Sequence, residues 1–142
     1  MKQAIYLTMA TLLLGTVNNK VMSQNQTSQN KSQQQASAAG MVRHVVLFKF
    51  KDSSTPAQIR EVEKAFSALP GKINTIVSYE WGTNMSPENL AQGFTHCFLV
   101  TFRDAAGRDA YLPHPAHKEF GTILRPHLDK VLVIDFIGQQ TQ

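Results

Sequence analysis

Two stretches of this chain alternate so strictly that one kind of element accounts for both. Val42 to Phe50 (VRHVVLFKF) places His44, Val46, Phe48 and Phe50 on one side and Arg43, Val45, Leu47 and Lys49 on the other. Phe94 to Phe102 does the same, with Phe94, His96, Phe98, Val100 and Phe102 opposite Thr95, Cys97, Leu99 and Thr101. A two-residue period belongs to the β-strand, whose successive side chains leave on opposite faces. One face of each strand is strongly aromatic, and the other is still partly apolar. Neither face is suited to open water, so the sheet they form needs a cover on both sides.

The remaining elements supply half of that cover. Thr55-Pro56-Ala57-Gln58 reads as an N-cap, a first-turn proline and a capping-box glutamine. The helix it opens runs to Leu69 with the stripe Ile59, Val62, Phe66 and Leu69, and Pro70-Gly71 stops it. Ile73 to Trp81 is a strand with Val77, Tyr79 and Trp81 opposite Ile76, Ser78 and Glu80, ended by Gly82. A loop from Thr83 to Gly93, with Ser86-Pro87-Glu88 as a short helical turn, leads to the Phe94 strand. Asp104 caps a helix to about Leu112. A break at Pro113-His114-Pro115 follows, then a helix to about Arg125 and a last strand from Lys130 to Ile137. This order predicts an α+β domain of ferredoxin-like βαββαβ type with a four-stranded antiparallel sheet. Its helices cover one sheet face only. The other presents Val45, Leu47, Cys97, Leu99 and part of the last strand, an apolar patch that a second copy would bury, so a homodimer with sheets face to face is expected.

The chemistry concentrates in Tyr111-Leu112-Pro113-His114-Pro115-Ala116-His117. Pro115 suits the first position of a helix, because its ring fixes a helical φ and its missing N–H is not needed there. His114 is then the N-cap. His117 falls in the first turn, where free N–H groups and the helix dipole disfavour the imidazolium form, so it can serve as a general base. His117 recurs with Phe120 and Leu124 on one helical face, His44 shares the Val46/Phe48 face, and His96 shares the Phe94/Phe98 face. Three imidazoles and Tyr111 are thus expected in one apolar space, with Phe48 and Phe98 among its walls. Polar tips in such a space need partners or a ligand. His114 and His117 stand three apart, but no carboxylate or cysteine completes a zinc pattern, and Cys97 has the wrong strand parity to activate with His96. No metal or cofactor is expected.

Residues 1–23 carry one early lysine and an apolar run from Ala4 to Gly15 that is short for a bilayer span, and they read as a signal peptide cleaved after Ser23. Residues 24–40 are Gln/Ser-rich without apolar periodicity and read as a disordered linker, leaving 41–142 as one domain. A secreted or periplasmic location follows, with no membrane association after cleavage. Lys2 and Lys20 depart with the signal, so 12 basic residues then face 10 acidic ones. That balance is near neutral and the basic residues are scattered, which excludes a nucleic-acid partner. Cys97 has no internal partner and is expected to be buried and inert, though an unpaired cysteine in an exported protein can bridge two chains.

The opening His44-Val45-Val46-Leu47-Phe48-Lys49-Phe50-Lys51, Gly93-Phe94-Thr95-His96, the Tyr111 to His117 stretch and the closing Asp135-Phe136 resemble the stress-responsive A/B barrel (Dabb) family over Met41 to Phe136. The resemblance implies a ferredoxin-like domain that pairs into a dimeric α/β barrel. It also implies kinship with a plant polyketide cyclase that closes a linear tetraketide by aldol condensation. That enzyme's catalytic histidine and tyrosine match His117 and Tyr111, and two further pocket histidines match His44 and His96. The helix residues lining its acyl pocket match Val62, Glu63 and Phe66, with a charge at Glu63 where the cyclase is apolar. Some plant members hold Mg²⁺ at the dimer, but no carboxylate cluster supports it here.

Two functions remain open on this reading. One is an exported homodimer whose His/Tyr-lined pocket binds a small apolar or phenolic molecule, as a cofactor-independent cyclase or lyase with His117 as base and Tyr111 as hydrogen-bond donor. There His44, His96, Phe48, Val62, Phe66 and Phe98 would hold the substrate. The other is a non-enzymatic stress-response or assembly protein whose histidines only satisfy one another.

Overall fold

The structure is a computed structural model that describes residues 40–139; the expected signal peptide and all but the last residue of the expected linker lie outside that range. Its elements are β1 (Val42–Phe50), α1 (Pro56–Ser67), a 3₁₀ turn (Leu69–Gly71), β2 (Ile76–Thr83), β3 (His96–Phe102), α2 (Ala105–Tyr111), α3 (Pro115–Leu124) and β4 (Leu128–Ile137). The strands form one antiparallel sheet in the order β2-β3-β1-β4, the ferredoxin-like arrangement expected.

Local chemistry explains the helix starts. Thr55 Oγ1 accepts from the Gln58 N–H at 3.3 Å, and Gln58 Oε1 accepts from the Thr55 N–H at 2.9 Å, the reciprocal capping box. Asp104 Oδ1 accepts from the Gly107 N–H at 2.9 Å to open α2. Helix α1 ends at Ser67 rather than Leu69, because Pro70 tightens the last turn into the 3₁₀ segment.

The core lies between the helices and one sheet face. Val46, Phe48, Phe98, Val100 and Phe102 meet Val62, Phe66, Leu69, Phe120 and Leu124 there, all buried. The parity expected for β1 and β3 holds, since β1 alternates buried and half-buried along its whole length. That of β2 does not. A bulge between Ile76 and Ser78 inserts Val77 as an extra residue, so Ile76 opposes Phe102 and shares the helix face with Tyr79 and Trp81. The bulge lets Ile76 join Tyr79 at the core while Val77 stays exposed. The loop before β3 forms turns but no helix at Ser86-Pro87-Glu88.

The outer sheet face carries Val45, Leu47, Leu99, Leu132, Ile134 and Phe136, and the last three keep 42 to 49 % of their surface open in the single chain. Cys97 belongs to this face and is exposed, not buried as expected, because odd positions of β3 point away from the helices. Strand β4 is open on its inner face as well, where Val131 and Val133 are each 49 % exposed. No helix among the described residues is long and apolar enough to cross a membrane.

Candidate functional site

The break between α2 and α3 sets two side chains face to face. Tyr111 ends α2, and His114 caps α3 by accepting the Ala116 N–H at Nδ1, 3.2 Å away. Pro115 starts the new helix and His117 falls in its first turn. Its Nδ1 donates to the Leu112 carbonyl at 3.0 Å. In the neutral ring the hydrogen must then sit on Nδ1, which leaves the Nε2 lone pair for another proton. The Tyr111 and His117 ring centroids are 4.3 Å apart.

Strand β1 brings His44 to the same place, with its ring centroid 5.7 Å from that of Tyr111. Asp135 stands beside it in the β1–β4 ladder and accepts from His44 Nδ1 at 2.6 Å. Arg108 of α2 pairs with the other Asp135 oxygen and also donates from Nε to Asp109 at 2.7 Å. Burial pushes the Asp135 carboxyl up, but the hydrogen bonds from His44 and Arg108 outweigh it and hold the group below the usual carboxylate range. The carboxylate thus anchors His44 by Nδ1 and leaves Nε2 as its free ring nitrogen, the arrangement by which a base is oriented in His/Asp pairs.

His44, Tyr111 and His117 line a cavity of about 190 Å³ whose remaining walls are apolar, among them Val46, Phe48, Phe66 and Phe120. Burial pushes the Tyr111 phenol far above its ordinary value, so it stays protonated and donates throughout the working pH range. The arrangement offers one hydrogen-bond donor and two imidazole nitrogens among apolar walls. That is what proton removal next to a carbonyl requires.

Five of the eight residues expected at the site, His44, Phe48, Phe66, Tyr111 and His117, line this cavity, and three do not. His96 pairs with Phe48 on the ladder, whereas His44 pairs with Val100. Four residues along a strand put it about 13 Å away. There both of its ring nitrogens are engaged, Nε2 with Glu63 Oε1 at 3.0 Å and Nδ1 with Thr95 Oγ1 at 2.8 Å. Phe98 and Val62 are fully buried in the core between. The convergence of three imidazoles is therefore corrected to two, because a shared sheet face does not bring residues to the same height on it. A second hollow of about 380 Å³ lies at the other end, lined by Trp81, Phe94, His96 and outer-face residues. The partners Asp135, Arg108 and Glu63 were not foreseen; a lone carboxylate inside Val131 to Ile137 was the signal for the first. Among the described residues no three His, Cys, Asp or Glu side chains are grouped as metal ligands.

Residues 42–138 match the model of the stress responsive A/B barrel domain. A stress-response A/B barrel domain-containing protein, HS1, of Arabidopsis thaliana is 46 % identical over 99 residues, which cover 70 % of this chain and 91 % of that protein. Olivetolic acid cyclase of Cannabis sativa is 35 % identical over 95 residues, 67 % of this chain and 94 % of the cyclase. Among solved structures, the hydroxynitrile lyase of Passiflora edulis superposes with a TM-score of 0.68 at 27 % identity, covering 73 % of this chain and 98 % of the lyase. A dimeric ferredoxin-like protein of unknown function from Bacteroides fragilis gives 0.59 at 30 % identity, covering 70 % and 97 %.

Proposed function

The chain belongs to the stress responsive A/B barrel domain family, and from that premise we propose that it acts as a homodimer in which each protomer binds a small organic molecule between Tyr111, His117 and His44. The observation that carries this reading is the Tyr111–His117 pair, 4.3 Å apart at the wall of an apolar cavity. Relatives described as a cyclase and a lyase support a small-molecule site of this kind. The exposed apolar residues of β4 and the dimeric state of a similar fold support the pairing.

The chemistry proposed is proton transfer without a cofactor. His117 Nε2 takes a proton from a carbon next to a carbonyl, the C–H electron pair becomes a C=C bond, and the carbonyl π pair moves to the oxygen. The Tyr111 O–H donates a hydrogen bond to that developing oxyanion, and the proton on His117 returns to the product. His44, anchored by Asp135, orients the substrate. We place this activity outside the cytoplasm, on the strength of residues 1–23; intact mass of the mature protein tests that step.

The test of the site is an NMR titration of the histidines in the full chain and in His117→Ala, with small phenols and β-keto compounds as probes. Shifts confined to His44 and His117 and lost in the variant are expected. A purely structural role is the second reading, and the full engagement of His96 favours it for that residue. If no probe shifts His44 or His117, while Tyr111→Phe and His117→Ala each cost about 1 kcal/mol or more, the structural role is preferred.

A further inference from the structure

The cavity stops short of His96 because four phenylalanines stand in the way. Phe66 and Phe98 stack at 4.3 Å with planes 12° apart, Phe48 lies 5.1 Å from Phe98, and Phe120 lies 4.8 Å from Phe66. All four are buried. Behind them Trp81 stacks on Phe98 at 5.6 Å, and the charged Glu63 carboxylate beside His96 lies beyond. On the near side, about 190 Å³ is little more than the roughly 150 Å³ that holds a benzene ring in an apolar protein cavity. No wall residue carries a fixed charge, since the nearby Arg108 is committed to Asp135 and Asp109. The cavity opens toward Leu112, Val131 and Val133, which are 44 to 49 % exposed.

Resting on the reading of this cavity as a small-molecule site, we propose that it takes a compact, uncharged, ring-sized molecule with one acceptor oxygen, and that the Phe66–Phe98 stack is the specificity determinant that refuses an alkyl tail on its inner side. The acceptor oxygen meets the Tyr111 hydroxyl, and the ring rests against Phe48 and Phe120. A tail would have to point back through the mouth, past Leu112, Val131 and Val133, away from the enclosed walls.

Calorimetric titration of the full chain with phenol, 3-pentylphenol and 4-pentylphenol tests this. A tail with apolar room would tighten binding about fourfold per methylene, several hundredfold for five carbons. The expected result is that neither pentylphenol binds tenfold tighter than phenol. Phe98→Val, or Phe66→Leu where the first variant fails to fold, should shift the ratio of pentylphenol to phenol affinity tenfold or more in favour of the tail. A tenfold or greater preference for a pentylphenol in the unaltered chain overturns the proposal while leaving the site in place, and so does an unchanged ratio in a folded wall variant. If none of the three binds, the reading of the cavity as a ligand site falls with it.

Discussion

Replacing Asp135 by Asn removes a charge and leaves a side chain of the same shape, so it isolates what the carboxylate does for His44 and Arg108. In the wild type one oxygen accepts from His44 at 2.6 Å and the other pairs with Arg108. Hydrogen bonds to a charged group contribute about 1.5 to 3 kcal/mol each. Asn keeps one acceptor oxygen and turns an amide N–H₂ toward the other donor, so roughly one such bond is lost. Because the Asp135 side chain is still 29 % exposed, the lower part of that range applies, about 2 kcal/mol at neutral pH. For a domain of this size that lowers Tm by roughly 8 to 16 °C. The pH dependence has a definite sign. The folded-state pKa of Asp135 lies below its ordinary value of about 3.9, so its contribution is fully present above that value and is lost as pH falls through the folded pKa. Urea unfolding of wild type and Asp135→Asn, at one protein concentration and at pH 7 and pH 3, reads both numbers. The gap should be smaller at pH 3 than at pH 7. A gap below about 0.5 kcal/mol at pH 7, or one unchanged at pH 3, would refute the ion-pair reasoning.

Three further outcomes follow from the same geometry. Leu99→Asp puts a charge in the middle of the uncovered sheet face and should convert the dimer to monomer or unfold it; a well-folded wild-type monomer in light scattering at micromolar concentration would contradict the pairing. Glu63→Ala strips a partner from the buried His96 ring and should cost about 1 to 3 kcal/mol in denaturant melts, while ligand-induced shifts of His117 stay as in wild type. Thr55→Ala removes half of the capping box and should cost about 1 kcal/mol, readable as a lower urea midpoint with unchanged slope.

The parts of the fold that local rules govern were legible. Thr55 and Gln58 announce α1, His114 and Pro115 announce α3, and the period of two in β1 and β3 names the buried face of each. The Pro113-His114-Pro115 break singled out Tyr111 and His117, the family resemblance pointed to the same pair, and the structure places them 4.3 Å apart. What alternation cannot report is height along a strand, which is why His96 was grouped with His44 although the ladder sets them four residues apart. It is equally silent about a bulge: the pattern of Ile76 to Trp81 is compatible with an unbroken strand, and packing of Ile76 and Tyr79 on the core decides otherwise. Asp135, Arg108 and Glu63 were illegible as partners because each meets a histidine or carboxylate at least 27 residues away, a distance at which only tertiary structure pairs charges.

The β1–β4 ladder bears on when this protein can fold at all. Its His44–Asp135 contact alone spans 91 residues, and the ladder joins the first of the described strands to the last. Contacts of such separation are slow to form, because the intervening chain must give up its freedom before the pairing compensates. Until β4 leaves the ribosome, β1 keeps an unsatisfied edge at the centre of the future sheet, and the chain stays open. The sheet therefore closes only when its fourth strand is in hand, and a stalled chain lacking β4 would present the central strand's open edge to any other chain that could pair with it.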